Sequence, residues 1–366
     1  MIIEKLVVSD VRNIDKIQLI AHPRCNIIVG NNGSGKTSIL ESIHLLGFGR
    51  SFRTHKNQDL VQKQKESLMV LAVGATSNDI QKKFGIRKTL AGISDIRIDG
   101  KTIRRQSELS SFFPIVNCSP LSNVLLEDGP AVRRRFVDWL VFHVEHETIA
   151  QTYKEYERAI DQRNRSLKLG NKQLANSWTP QLVSLNKTIS AKREHVINEL
   201  NERCKAAFKI LGQEQLLELA ELEIKYKRGW RLDGEIEELL TSSLDLDLKR
   251  GTTHYGIHRD DMIVSYGESI AKTVLSRGEL KILLMCLLIA ASQYIEAHSD
   301  KQCIWLIDDI VAELDKPTLD KLLSYLLAMQ RQLFVTCIEK DLPVLKEKIK
   351  HESVMFHVEH GTTVNE

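Results

Sequence analysis

Residues Gly30-Asn31-Asn32-Gly33-Ser34-Gly35-Lys36-Thr37 match the pattern G-x-x-x-x-G-K-[ST] in full. Few short patterns constrain a chain as strongly. The glycines let successive backbone N–H groups turn inward around phosphates, and the helix that follows adds the positive end of its dipole. Lys36 is then the cation for the β- and γ-phosphates, and Thr37 the hydroxyl ligand of Mg²⁺. The flanks fit. A β-branched run, Asn26 to Val29, enters Gly30, and Ile39, Leu40, Ile43 and Leu46 follow at helical spacing, with Gly47 expected to end the helix. The sequence thus predicts an ATP site with a strand on one side and a helix on the other.

Such a site needs an acidic residue at the end of a neighbouring strand. Ile304-Trp305-Leu306-Ile307-Asp308-Asp309 supplies four apolar residues followed by two carboxylates. Asp308 is the expected Mg²⁺ partner, through water, and Asp309 the group that orients or deprotonates the attacking water. Asp308 lies far from Lys36, so most of the chain is inserted between two halves of one nucleotide site. Compact P-loop GTPases are not built this way; split ABC/SMC-type heads are. Shortly before Asp308, Leu275-Ser276-Arg277-Gly278-Glu279 opens a further helix. Ser276 is a good N-cap and Gly278 permits close backbone approach, so Ser276, Arg277 and Gly278 form a second candidate anion site. In ABC-type ATPases this element meets the γ-phosphate held by the other subunit, which predicts an ATP-dependent homodimer.

The rest of the chain suits an α/β head made from both ends with an inserted, mainly helical lobe. The expected divisions are 1–125, 126–250 and 251–366. Strands are expected at the N-terminus, around 17–20, 68–73, 84–90, 96–98 and 115–116, and again at 304–307 and 333–336. Asp99-Gly100 reads as a hairpin turn. From about Val132 to Gly212 the pattern is helical, with two long helices at roughly 145–168 and 180–210. Their interruption argues against a long coiled coil. A further helix is expected near 317–330. The longest apolar run, Ile282 to Ala291, is too short to span a bilayer and reads as a core helix; no membrane association is expected. No secretory leader is visible, and a cytoplasmic location is expected. The six cysteines are scattered, which supports neither a disulfide framework nor a zinc site.

A net charge of +3 is nearly balanced, so affinity for nucleic acid must come from local patches. Three are candidates: Arg158 to Lys172 with Arg163, Arg165 and Lys168; Arg133-Arg134-Arg135; and Lys225-Tyr226-Lys227-Arg228-Gly229-Trp230-Arg231. The last interleaves base and aromatic, as phosphate contact with stacking requires. Three successive arginines cannot share one helix face, so at least one of Arg133 to Arg135 is expected to serve structure. The pentapeptide Phe-His-Val-Glu-His occurs twice, with His143 and His146, then His357 and His360; the repeat is read as coincidental.

Taken together, several segments resemble the bacterial RecF family over nearly the whole chain. They are Val8 to Asn13, the phosphate loop, Gly47 to Arg53, Arg133 to Asp138, His258-Arg259-Asp260-Asp261, Leu275 to Glu279 and Ile307 to Asp315. The resemblance implies a DNA-repair protein that binds ATP and DNA and dimerises on ATP. It further implies help in loading RecA at single-strand gaps with RecO and RecR, and links to replication restart and the SOS response. Glu313-Leu314-Asp315 resembles the loop that acts across such a dimer. Val11, Ile257 and Leu121 depart from the family's usual Phe, Pro and acidic residue. Slow hydrolysis, stimulated by DNA and serving as a release timer, is the expected activity. The competing readings are an SMC-like or transporter-type ATPase, or a DNA-binding scaffold whose nucleotide site does not hydrolyse.

Overall fold

The computed structural model describes residues 1–54, 56–76, 80–92, 94–211, 221–230, 235–349 and 352–364. Two units are formed, one from Met1–Asn123, Lys209–Gln215 and Lys281–Glu366, the other from Val124–Phe208 and Leu216–Leu280.

The first unit holds two six-stranded sheets. One is antiparallel, in the order Ile14–Ile20, Ile2–Val11, Ser67–Ala75, Gln81–Thr89, Ser94–Ile98 and Lys101–Ile103. Its strands alternate buried and exposed residues because one face only meets the core. The turn at Asp99-Gly100 has positive φ at both residues (49° and 79°), the backbone a tight hairpin requires. The other sheet runs Thr362–Val364, Ser353–Glu359, Cys25–Val29, Gln332–Cys337, Ile304–Ile307 and Ile115–Cys118. All its pairings are parallel except that of the C-terminal hairpin. Its central strands are buried throughout, which is why they read as continuous apolar runs. Strands from both ends of the sequence therefore share one sheet.

Helix Lys36–Phe48 packs in the core joining the two sheets, through Ile39, Leu40, Ile43, Leu45 and Leu46. It passes through Gly47 and ends at Gly49, whose φ of 65° and N–H bond to Leu45 O (2.8 Å) close it. Gly47 has another role. A Cβ there would sit 2.8 Å from the Phe113 carbonyl oxygen and from Ile115 Cδ1, so the glycine allows close helix–sheet packing. Helix Arg277–His298 is long and apolar enough to cross a membrane, but it is mostly buried within the fold, as a core helix is.

The second unit combines helices Pro130–Lys168, Lys172–Ser177 and most of Thr179–Leu211 with a small antiparallel sheet of Ser269–Ile270, Asp261–Tyr266 and Leu222–Lys227. The first long helix begins earlier than position 145: Pro130 opens it, and Glu145 (φ −118°, ψ 34°) marks a kink. The break at Gly170-Asn171 holds, with Gly170 at φ 70° and Asn171 Oδ1 accepting from Leu174 N at 3.0 Å. The boundary expected at 250 lies later in the chain. Asp261–Tyr266 pairs along its length with Leu222–Lys227, which keeps this segment in the second unit as far as Leu280. Tyr156, Ala159, Leu182, Leu185, Ile189, Ile236, Leu240 and Ile257 form its main core. All six cysteines are buried, and none of them is in a disulfide.

Candidate functional site

Strand Cys25–Val29 delivers the chain to Gly30 at the carboxyl edge of the parallel sheet. Gly30 could be no larger, since a Cβ would lie 2.3 Å from the Val358 carbonyl oxygen. Gly33 (φ 79°) and Gly35 (φ 118°) occupy the left-handed region that lets the loop curl. The curl is pinned from outside. Asn13 Nδ2 donates to Gly33 O (2.9 Å), Ser38 Oγ donates to Asn13 Oδ1 (3.2 Å), and Gly361 N donates to Ser34 O (2.8 Å). Lys36 is buried, and its ammonium donates to Gly30 O (2.9 Å) and Asn31 O (3.0 Å), across the mouth of the loop.

Thr37, on the first turn of the helix, meets Asp308 from the strand two places away. Its hydroxyl lies 3.1 Å from each carboxylate oxygen. The hydroxyl donates to the carboxylate at this distance, a pairing that suits Thr37 as the direct ligand of Mg²⁺ and Asp308 as its partner through water. The intervening strand contributes Thr336. Its hydroxyl donates to Asp308 Oδ1 (2.7 Å) and accepts from Asp309 N (3.0 Å). Burial pushes the Asp308 carboxyl above its ordinary range; the Thr336 bond opposes this, and the neighbouring Asp309 charge adds to it. Asp309 has φ 50° and ψ 35°, left-handed for a non-glycine residue, and opens the short helix Ile310–Glu313.

A cavity of about 870 Å³ joins these parts, lined among others by Asn32, Gly33, Gly35, Lys36, Thr37, Arg53 and Asp309. Arg12 and Arg53 reach it from the segments that flank the loop in the first sheet and after the helix. Both lean on Glu41, a fully buried carboxylate. Arg12 makes a bidentate pair with it (2.5 and 2.7 Å), Arg53 lies 3.8 Å away, and Ser51 donates a short hydrogen bond to it. Thr336 and Glu41 were not foreseen as site residues. Glu41 is a charge on the apolar face of an otherwise buried helix, and that was its one visible signal.

Ser276, Arg277 and Gly278 belong to the second unit. Ser276 caps helix Arg277–His298 as expected, through a reciprocal box. Ser276 N donates to Glu279 Oε2 (2.6 Å), and Glu279 N approaches Ser276 Oγ (3.4 Å). Gly278 has open space where a side chain would be. The side chain of Glu313, like Arg231 of the third basic segment, lies outside the described residues.

The basic clusters divide by use. Arg133 makes a bidentate pair with Asp261 (2.7 and 3.0 Å), and Arg134 donates to Asp260 O (2.7 Å). Arg163 is fully buried against Asp247 and Thr253. Those arginines hold the second unit together, which extends the structural role expected of one of Arg133 to Arg135. Arg158, Arg165 and Lys168 are exposed. No group of His, Cys, Asp or Glu suited to hold a metal by themselves occurs among the described residues, the two histidine pairs included.

The family model described as the RecF/RecN/SMC N terminal domain matches residues 2–363. A curated relative from Shewanella sediminis (strain HAW-EB3), the DNA replication and repair protein RecF, is 36% identical over 362 residues, covering 99% of this chain and 98% of the relative. Among solved structures, the recombination mediator protein RecF with ATP in the RecFOR pathway superposes with a TM-score of 0.84 at 23% identity, covering 99% and 97% of the two chains. An Smc head bound to the C-winged helix domain of ScpA gives 0.56 at 14% identity, covering 99% and 97%. The fold is that of an ABC/SMC-type ATPase head.

Proposed function

This chain belongs to the RecF family of DNA replication and repair proteins, and from that premise we propose that it is an ATP-dependent DNA-binding protein of recombinational repair and replication restart. The observation that carries the reading is the convergence of the Thr37 hydroxyl and the Asp308 carboxylate, 3.1 Å apart, at the end of a loop whose mouth the Lys36 ammonium spans. A hydroxyl, a carboxylate and a lysine at the mouth of a glycine-rich loop are what Mg²⁺·ATP requires.

In this reading the backbone N–H groups of Gly30 to Thr37 receive the phosphates and Lys36 bridges the β- and γ-phosphates. Mg²⁺, when bound, neutralises charge on the phosphate oxygens. Thr37 would hold it directly and Asp308 through water, with Thr336 orienting Asp308 and Asp309 orienting the attacking water. Two copies close on ATP, each offering Ser276, Arg277 and Gly278 to the nucleotide of the other. Slow hydrolysis releases them and so limits residence on DNA. The substrate is DNA at single-strand gaps, the setting cytoplasmic, and the partners are RecO, RecR and RecA; the RecF relative solved in the RecFOR pathway supports that assignment.

The test is sedimentation velocity with Mg²⁺·ATP, with and without gapped DNA, on the wild type and Ser276→Arg. The wild type is expected to dimerise on ATP and the variant to stay monomeric. A wild type that remains monomeric with ATP on DNA would exclude the two-headed mechanism.

A further inference from the structure

The third basic segment lies along an open groove of about 680 Å³ in the second unit. On strand Leu222–Lys227, Leu222 and Ile224 face the core, and Lys225 and Lys227 face outward. The strand leads to Gly229 and Trp230. Opposite runs His254-Tyr255-Gly256, and the two backbones touch. A Cβ on Gly229 would lie 2.1 Å from Gly256 O, and Gly256 itself has φ 141°. Asp260, buried beneath, fixes the crossing by accepting from Gly229 N (2.6 Å), Arg193 Nη1 (2.9 Å) and the Tyr226 hydroxyl.

This crossing sets Trp230 and Tyr255 on the wall of one groove, each half-buried against the main core of the unit. Rings held by packing lose little freedom when a second planar group covers them. The cations differ in availability. Lys225 pairs with Glu223 (2.6 Å) and Arg228 with Glu194 (2.7 Å). Lys227 and Arg259 are exposed, line the same groove, and have no acidic partner among the described residues. Of the motif His258 to Asp261, Arg259 is the exposed member, while Asp260 and Asp261 are buried in ion pairs.

We propose that this groove is a subsite for single-stranded DNA, in which bases stack on Trp230 and Tyr255 while Lys227 and Arg259 meet the flanking phosphates. Paired aromatic faces with adjacent cations suit an unstacked strand; a duplex offers its phosphates but not its base faces. The inference rests on the DNA-binding reading above and specifies where one strand is held.

The experiment uses the full chain with Mg²⁺·ATP, a labelled oligodeoxythymidine, an abasic oligomer of equal length, and the intrinsic tryptophan fluorescence. The thymidine oligomer is expected to bind about tenfold or more tighter than the abasic one and to quench fluorescence. Trp230→Phe should abolish most of the quench and keep the fold. Lys227→Glu with Arg259→Glu, both at exposed positions, should weaken both oligomers about tenfold or more. Losing those two contacts should also flatten the dependence of log affinity on log salt by about 1.4. Equal affinity for the two oligomers, or wild-type binding by the charge-reversed variant, would overturn the groove while leaving DNA binding intact. A wild type that binds no DNA of any kind would overturn the DNA-binding reading and the groove with it.

Discussion

Thr336 donates its hydroxyl to Asp308 at 2.7 Å and, through the same oxygen, accepts the amide of Asp309 at 3.0 Å. One side chain from the strand beside Ile304–Ile307 thus orients both members of the acidic pair. Thr336→Val keeps the shape and removes both bonds. Turnover is expected to fall about 10- to 100-fold, the usual cost of losing a group that orients a metal ligand. ATP affinity, which depends mainly on the phosphate loop, should change far less. Comparing nucleotide binding with steady-state hydrolysis checks this, and equal losses in both would point to general disruption.

Asp308 is a buried carboxyl whose charge is disfavoured. Its folded pKa is raised, so its stabilising contribution is fully present below the unfolded value and lost as pH rises through the folded one. At neutral pH the ionised form therefore costs stability. Asp308→Asn should raise the melting temperature of the nucleotide-free protein at pH 7.5, on the order of 2 °C, while abolishing hydrolysis. The gain should shrink as pH approaches 4. Thermal melts across pH, with and without Mg²⁺·ATP, measure it.

Glu41 is fully buried, and Arg12, Ser51 and Arg53 converge on it. Glu41→Gln leaves Arg12 without its counter-charge. Because Arg12 keeps partial access to water, a loss of about 2–3 kcal/mol is expected, below the range for a fully buried broken pair. Arg12 and Arg53 line the candidate nucleotide cavity, so ATP affinity should fall even though Lys36 and Thr37 are untouched. Chemical denaturation and nucleotide titration of the same variant separate the two effects.

Burial lowers two histidines to about 4: His44, whose Nδ1 bonds Arg50 O (2.7 Å), and His258, held by Tyr156 and Thr253. A depressed pKa gives stability that is present above the unfolded value and lost as pH falls through the folded one. The fold should therefore weaken between about pH 6.5 and 4, each histidine adding a slope near 1.4 kcal/mol per pH unit. His258→Gln should reduce proton uptake on unfolding at pH 5.5 by about one. Denaturation midpoints from pH 7 to 4.5 test this, and an unchanged slope would count against it.

The candidate nucleotide site was legible to the extent that it is local. Gly30 to Thr37 carry their own geometry, and Ile304 to Ile307 announce a buried strand that ends in acid. Thr336 was not legible, because its role depends on which strand lies between two others. The fate of the arginines was hidden for the same reason. Arg133, Arg134 and Arg163 look like free cations in sequence, and only tertiary contacts assign them to Asp261, Asp260 and Asp247. Gly47 and Gly49 could not be told apart as helix terminators, because one answers to a neighbouring strand and the other to its own backbone. Strand Leu222–Lys227 was masked by its charges, which occupy its outward face.

The phosphate loop is braced by a hairpin more than 300 residues away in sequence: Val358 limits Gly30 to a glycine, and Gly361 bonds the Ser34 carbonyl. During synthesis the loop leaves the ribosome long before the hairpin that seats it. A nascent chain would carry the phosphate-binding residues without the support that shapes them, and the loop would take its shape only as the strands Ser353–Glu359 and Thr362–Val364 dock. Nucleotide affinity would then depend on a hairpin that shares no residue with Gly30 to Thr37.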